Sequence, residues 1–333
     1  MLLAFGRRGH AISCAARVSR AASFLSGTRP MDELVKKSDD EELIECAPFR
    51  AVRVPPASGS TARSTPIVLV HGVYHGSWFY RGVQDVLAEE GFESFALDLL
   101  TSNSSSTCES LAADLDTAMR LLPLRARPVL AGHSQGGLLT QKYMADMDGR
   151  MPDEKRVCAV GLIATGSLGH FANSMRSALN CLKVVGGGAG VRPWLNNVLL
   201  KGEEKRRAED SFNATMQVFC LPDSVTTTNC TGIGITMEEY HELMCASPGG
   251  QHGDGWPTAS HMIVEARPPP IQVPSLSVHF ERDEAYAGHH SQWHAEHYGS
   301  DILEVPGQPH CWVAPGWEES FARPFARWVA EKV

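Results

Sequence analysis

Long apolar segments are missing from this sequence of 333 residues, since no run approaches the roughly 20 residues that a membrane-spanning helix needs. An excess of positive charge is also missing. The 30 Lys and Arg residues stand against 38 Asp and Glu, and a net charge of −8 gives no reason to expect a nucleic-acid surface. The nine cysteines include no Cys-x-x-Cys pair, which favours reduced thiols and argues against a zinc site. The 43% hydrophobic and 20% charged residues are instead typical of a globular protein with a full core.

Acidic residues are absent from the first thirty positions, which contain five arginines and several Ala and Ser. Such a start is typical of an organelle transit peptide, so we expect a mitochondrial or other organellar protein. Two alternatives are a disordered basic tail and initiation at Met31, and either would fit a cytoplasmic protein. We expect residues 1–45 to form this leader and an exposed lead-in.

Apolar runs alternate with helical patterns through most of the chain. Strands are predicted at residues 66–70, 93–99, 128–133 and 157–164, then again at 275–280 and 302–305, with helices between them. Residues 49–54 alternate and predict an edge strand. This order predicts an α/β fold with a mostly parallel central sheet flanked by helices. The alternation of strands and helices is interrupted at residues 168–265. We interpret this segment as an inserted, mostly helical cap between two parts of the core, 46–167 and 266–333.

The pattern Gly-x-Ser-x-Gly follows one of these strands at residues 132–136. It is typical of a sharp strand-to-helix turn, in which Gly132 and Gly136 are required because a Cβ would clash with nearby backbone. Ser134 would then be presented at the top of the sheet. The Gln135 N–H, at the helix N-terminus, would point toward a developing oxyanion.

Three further candidates follow strand ends, where function collects in parallel sheets. His71-Gly72-Val73 follows the strand at 66–70, and the Val73 N–H could be a second oxyanion donor. Asp283 and His310 follow the last two strands. Histidine suits the removal of a serine proton because its pKa lies near 6.5, and a carboxylate can fix the imidazole tautomer.

With these motifs the chain resembles the α/β-hydrolase superfamily, which contains esterases, lipases, hydroxynitrile lyases and cofactor-free haloperoxidases. The resemblance covers about residues 50–333 and is strongest to small esterase-like members with His-Gly-x-x-His-Gly-x-Trp, here residues 71–78. It implies that Ser134 is the nucleophile, His310 the base and Asp283 the acid. Val73 and Gln135 would be the oxyanion residues, and no cofactor is expected.

One departure from the family pattern leaves the acid open. The family often has glycine three residues before the acid, and this chain has Phe280, which leaves Glu281 and Glu284 as rivals. Some relatives place the acid after the preceding strand, but residues 165–168 offer no carboxylate, which favours Asp283. Serine at the nucleophile position argues against epoxide hydrolase and haloalkane dehalogenase chemistry.

A cluster of four histidines after Asp283 has spacings that would put pairs on one helix face: His289, His290, His294 and His297. A metal site is conceivable, but no Cys or acid completes a set of ligands, so we interpret the cluster as a polar surface helix and expect no metal.

Three other polar residues lie near the motifs. We expect His75 to brace the oxyanion loop, Asp98 to be structural, and Cys311 to be a packing residue beside His310.

The leading hypothesis is a serine hydrolase that cleaves a carboxylic ester, with an apolar acyl or alkyl group, through an acyl-enzyme. The alternatives are a non-hydrolytic enzyme such as a hydroxynitrile lyase, which a lysine near the site (Lys183 or Lys201) would favour, and a non-catalytic small-molecule binding protein. The substrate, the oligomeric state and the shape of the cap stay open.

Overall fold

The computed structural model describes residues 41–46, 49–73, 75–99, 107–184, 270–283 and 285–333, with three short pieces at 235–236, 239–240 and 243–244. The leader, Glu284 and most of the expected cap lie outside these residues.

An eight-stranded sheet forms the centre of the molecule, with strand order β1-β2-β4-β3-β5-β6-β7-β8. The strands are β1 Glu42–Cys46, β2 Phe49–Val54, β3 Ile67–Val70, β4 Ser94–Leu99, β5 Val129–His133, β6 Ala159–Ile163, β7 Ser275–Phe280 and β8 Asp301–Val305. The six strands β4, β3, β5, β6, β7 and β8 pair parallel with one another in this order. The two antiparallel pairs are β1 with β2 and β2 with β4. The predicted mostly parallel sheet is therefore confirmed.

Six α-helices lie in the described part of the chain. They are α1 Arg81–Glu89, α2 Cys108–Leu121, α3 Gln135–Asp146, α4 Phe171–Val184, α5 His289–Tyr298 and α6 Arg323–Lys332. The two faces of the sheet bury separate cores. On one face Leu69 packs in a cluster with residues of α1 and α6, and on the other its neighbour Val68 packs with residues of α2, α3 and α5. This explains why the central strands are apolar at every position, since both faces are covered.

The edge of the sheet differs from the prediction. Residues 49–54 form β2 as expected, but β2 is not an edge strand, because β1 pairs along its outer side. Part of the predicted exposed lead-in is thus a strand. Arg53 of β2 contacts Glu42 of β1 and Glu93 at the base of β4, so charge pairs accompany this register.

The insertion between β6 and β7 is described only in part. Its first helix is α4, on which Phe171, Met175 and Leu179 are exposed. Tyr240, from one of the short pieces, is fully buried. The expectation of a cap otherwise falls on residues outside the described part.

No helix in the described part of the chain has both the length and the apolar character needed to cross a bilayer.

Candidate active site

The turn between β5 and α3 places Ser134 in an unusual backbone conformation, with φ 54° and ψ −120°. A non-glycine residue with positive φ costs of the order of 1–3 kcal/mol and persists only where its surroundings enforce it. A Cβ on Gly132 would collide with the Gly136 carbonyl, and one on Gly136 would collide with the Val70 carbonyl. The two predicted glycines are therefore required by close backbone approach.

Hydrogen bonds on both sides hold the Ser134 turn. The Ser134 N–H donates to the Ile163 carbonyl at 3.0 Å. The Ser134 carbonyl accepts from Thr165 Oγ1 at 2.5 Å and from the Gly137 N–H at 3.0 Å. Gln135 is the first residue of α3, so its N–H has no carbonyl acceptor within the helix and is available to an anion there.

Asp283 and His310 lie in direct contact after the ends of β7 and β8. The His310 Nδ1–H donates to Asp283 Oδ2 at 2.9 Å, and both side chains are fully buried. Asp283 Oδ1 accepts from the N–H groups of Ala285 and Tyr286 at 2.8 and 2.9 Å. Because the carboxylate fixes the proton of His310 on Nδ1, Nε2 of the neutral ring is the nitrogen that can take up a proton.

His133, the residue before Ser134, connects the Ser134 turn to the His310 loop. Its Nε2–H donates to the His310 carbonyl at 3.0 Å, and the centroids of the two rings are 4.7 Å apart. Burial, together with the nearby His310 and His75, lowers the pKa of His133 well below its ordinary value. His133 is therefore a neutral donor, and it links the ends of β5 and β8.

The loop after β3 approaches the Ser134 turn from the other side. A Cβ on Gly72 would lie 2.9 Å from Ser134 Cβ. The Gly72 carbonyl accepts from the His71 Nδ1–H at 2.8 Å and from the His75 N–H at 3.3 Å. The Gly72 carbonyl and the Val73 N–H belong to one planar peptide and point in opposite directions, so these two bonds also orient the Val73 N–H.

Glu281, one of the two rival acids, has a different position from Asp283. Glu281 is exposed, and its Oε2 accepts from the Gly307 N–H at 2.8 Å, whereas Glu284 lies outside the described residues. Asp98, expected to be structural, accepts from the Ser77 N–H and Oγ and from Arg50 Nε. It thereby ties the turn that follows the β3 loop to β2 and β4.

The histidine cluster was predicted to form a polar surface helix. This prediction is wrong for two of its four members, which are buried. His290 and His294 are each only 1% exposed. His290 lies within 2.9 Å of the Ser167 N–H and Oγ and 2.7 Å from Ser177 Oγ. His294 bonds Ser277 Oγ at 2.9 Å and the Gly166 carbonyl at 3.1 Å. Burial lowers the pKa of both rings, to about 4 for His294, so they are neutral hydrogen-bonding core residues.

Two residues of the site were not found from the sequence. His133 occupies a variable position inside the Gly-x-Ser-x-Gly pattern, and nothing in the pattern indicates a bond to His310. Tyr240 lies 165 positions from His75, yet its Oη is 2.6 Å from His75 Nε2. No local spacing could have indicated this contact.

A sequence model of the alpha/beta hydrolase family matches residues 67–326. The chain belongs to the alpha/beta hydrolase family. Part of this hydrolase is also similar to Methylesterase 2 of Arabidopsis thaliana, with 39% identity over 84 residues. That segment covers 23% of this chain and 32% of the relative, so the chain spans about a third of the length of the curated relative it matches.

Solved structures of other proteins have a fold similar to that of this chain. A bromoperoxidase from Bacillus anthracis covers 87% of this hydrolase and 98% of its own chain, with a TM-score of 0.57 and 16% identity. A thermophilic esterase from Thermogutta terrifontis covers 87% and 97%, with a TM-score of 0.52 and 16% identity. At such identities the likeness concerns the fold alone, and two proteins with different activities share it.

Proposed function

We propose that this hydrolase cleaves a carboxylic ester through an acyl-enzyme formed on Ser134. The observation that carries the proposal is the buried Asp283–His310 hydrogen bond, joined through His133 to the strained Ser134 turn. Burial of an ionisable pair and strain at one residue each cost free energy, and their coincidence at the strand ends favours a catalytic role.

In the proposed mechanism, Ser134 Oγ attacks the ester carbonyl while His310 Nε2 takes its proton. Asp283 holds the ring in the required tautomer and stabilises the imidazolium that forms. The N–H groups of Val73 and Gln135 donate to the tetrahedral oxyanion, and losing one such donor typically costs about 3–4 kcal/mol of barrier. The imidazolium then protonates the leaving alkoxide, and water repeats the sequence to release the acid.

The proposed substrate carries an apolar acyl or alkyl group. The insertion contains apolar residues, and on α4 the side chains of Phe171, Met175 and Leu179 are exposed. Such residues support an apolar group on the substrate, because ligand pockets are lined mostly by apolar side chains. Because part of the chain is similar to Methylesterase 2, methyl esters are the first class of substrate to test.

A panel of esters tests the substrate class. Methyl esters of aromatic and aliphatic acids and p-nitrophenyl esters of increasing chain length are offered at equal concentration, and we expect turnover by wild type that is lost in Ser134→Ala. Cyanide release from cyanohydrins is measured in parallel. Cyanide release without ester turnover would replace the hydrolase proposal with a lyase, and turnover of neither substrate would favour a binding protein.

A further inference from the structure

His75 holds the peptide that follows Val73. Its Nδ1 lies 2.7 Å from the Val73 carbonyl oxygen, and the ring is 1% exposed. A carbonyl oxygen can only accept, so Nδ1 carries the proton and donates. The backbone N–H of the same residue donates to the Gly72 carbonyl at 3.3 Å. His75 therefore restrains the peptides on both sides of Val73.

The second nitrogen of His75 determines what its partner must do. Burial is the main cause that lowers the pKa of His75, to about 3, so the ring is neutral near neutral pH. With the proton on Nδ1, Nε2 is an acceptor, and Tyr240 Oη at 2.6 Å must be the donor. The Tyr240 hydroxyl thus selects the tautomer in which His75 can hold the Val73 carbonyl.

The same hydroxyl reaches the loop of the proposed base. Tyr240 Oη lies 3.2 Å from Sγ of Cys311, the residue next to His310. Because the hydroxyl proton is directed to His75, the thiol is the donor in this second contact. A chain of hydrogen bonds then runs from Cys311 through Tyr240 and His75 to the Val73 carbonyl. It joins the loop after β8 to the loop after β3 through a residue of the insertion.

We propose that Tyr240 is a positioning residue. It fixes the tautomer of His75 and thereby the bond that holds the Val73 carbonyl, so that the peptides on both sides of Val73 are restrained and the Val73 N–H stays directed at the oxyanion. This inference rests on the proposed function. It gives the insertion a role in catalysis that does not require contact with the substrate. It also explains why a tyrosine hydroxyl and an imidazole are buried together among the aromatic rings of Trp78 and Phe79.

The direct test compares Tyr240→Phe with Tyr298→Phe. Both variants lose one buried, hydrogen-bonded hydroxyl, but Tyr298 bonds Gln141 Oε1 on α3 and is not part of the chain. We expect Tyr240→Phe to lower kcat about tenfold with KM within about twofold, because displacement of an oxyanion donor is felt in the transition state. Tyr298→Phe should keep kcat within about twofold. An equal kcat in the two variants would overturn the inference, whereas absence of turnover by wild type would overturn the proposed function itself.

A second pair of variants and one spectrum keep the test decisive if Tyr240→Phe folds poorly. In His75→Asn the amide nitrogen takes the place of Nδ1, while in His75→Gln it takes the place of Nε2, so we expect Asn to retain several-fold more kcat than Gln. The 15N spectrum of wild-type protein labelled at histidine should show His75 neutral and protonated at Nδ1 at pH 7. The opposite tautomer, or equal kcat for Asn and Gln, would contradict the positioning role.

Discussion

At the scale of single residues, the site depends on which atoms carry protons. Asp283 uses one oxygen for two backbone N–H groups and the other for His310 Nδ1. The carboxylate is therefore held by backbone on one side and fixes the imidazole on the other. Glu281 is exposed and bonded to the backbone of a neighbouring turn, so it has no comparable position.

Substitution of Asp283 by Asn tests the assignment of the acid. The amide keeps the size of the side chain but favours the wrong tautomer of His310, so we expect kcat to fall by about 10⁴-fold. Glu281→Gln is the matched control and should leave kcat within about twofold. Glu284→Gln completes the set, since a loss of activity confined to either glutamate variant would move the acid away from Asp283.

Single residues could be predicted from the sequence where a local motif requires them. The glycines around Ser134 could be predicted because the Gly-x-Ser-x-Gly pattern requires close backbone approach. Asp283 and His310 could be proposed because each follows the end of a strand. The burial of His290 could not be predicted, because its partners Ser167 and Ser177 lie 123 and 113 positions away.

At the scale of elements, the junction between β5 and α3 fixes the site, because it packs backbone against backbone. Gly132 meets the first turn of α3, and Gly136 meets the end of β3. The central strands were predicted because burial on both faces leaves an uninterrupted apolar run. β1 was missed because its glutamates give no apolar run, and its pairing depends on contacts with β2.

A glycine substitution tests the β5–α3 junction. We expect Gly132→Ala to destabilise the fold by about 3 kcal/mol or more, because the new Cβ meets backbone that cannot move aside. Gly149→Ala is the matched control, since its Cβ would have no heavy atom within 4 Å. Urea unfolding midpoints measure both, and a similar stability for the two variants would show that the close approach at Gly132 is not a constraint.

At the scale of the whole molecule, buried neutral histidines connect the site to the fold. Burial is the main cause of a lowered pKa at five of them: His71, His75, His133, His290 and His294. Three of them lie around the Ser134 turn, and the other two lie on α5, where they bond residues of α4, of β7 and of the loop after β6. In the unfolded chain these imidazoles take up a proton at about pH 6.5. In the folded protein they stay uncharged to lower pH.

This difference predicts how stability depends on pH. As pH falls through about 6.5, the unfolded chain takes up protons that the folded protein does not, so stability is complete above about 6.5 and is lost below it. Each such histidine makes the free energy of unfolding fall by up to about 1.4 kcal/mol for each pH unit below about 6.5. For His294 this fall continues down to about pH 4, where the folded protein also takes up the proton. Urea midpoints at pH 7.5, 6.5 and 5.5 measure the slope, which should be smaller in His294→Gln. A stability that is flat across this range would contradict the account.

The most direct measurement of the central claim is covalent labelling by a fluorophosphonate, followed by mass spectrometry of the intact protein and its peptides. We expect one adduct, on the peptide that contains Ser134, and a rate of labelling that falls at least about 10³-fold in His310→Ala, because the serine hydroxyl is a weak nucleophile without its base. Ser134→Ala should not be labelled. Labelling of Ser134→Ala at the rate of wild type would contradict the claim that this hydroxyl is the nucleophile.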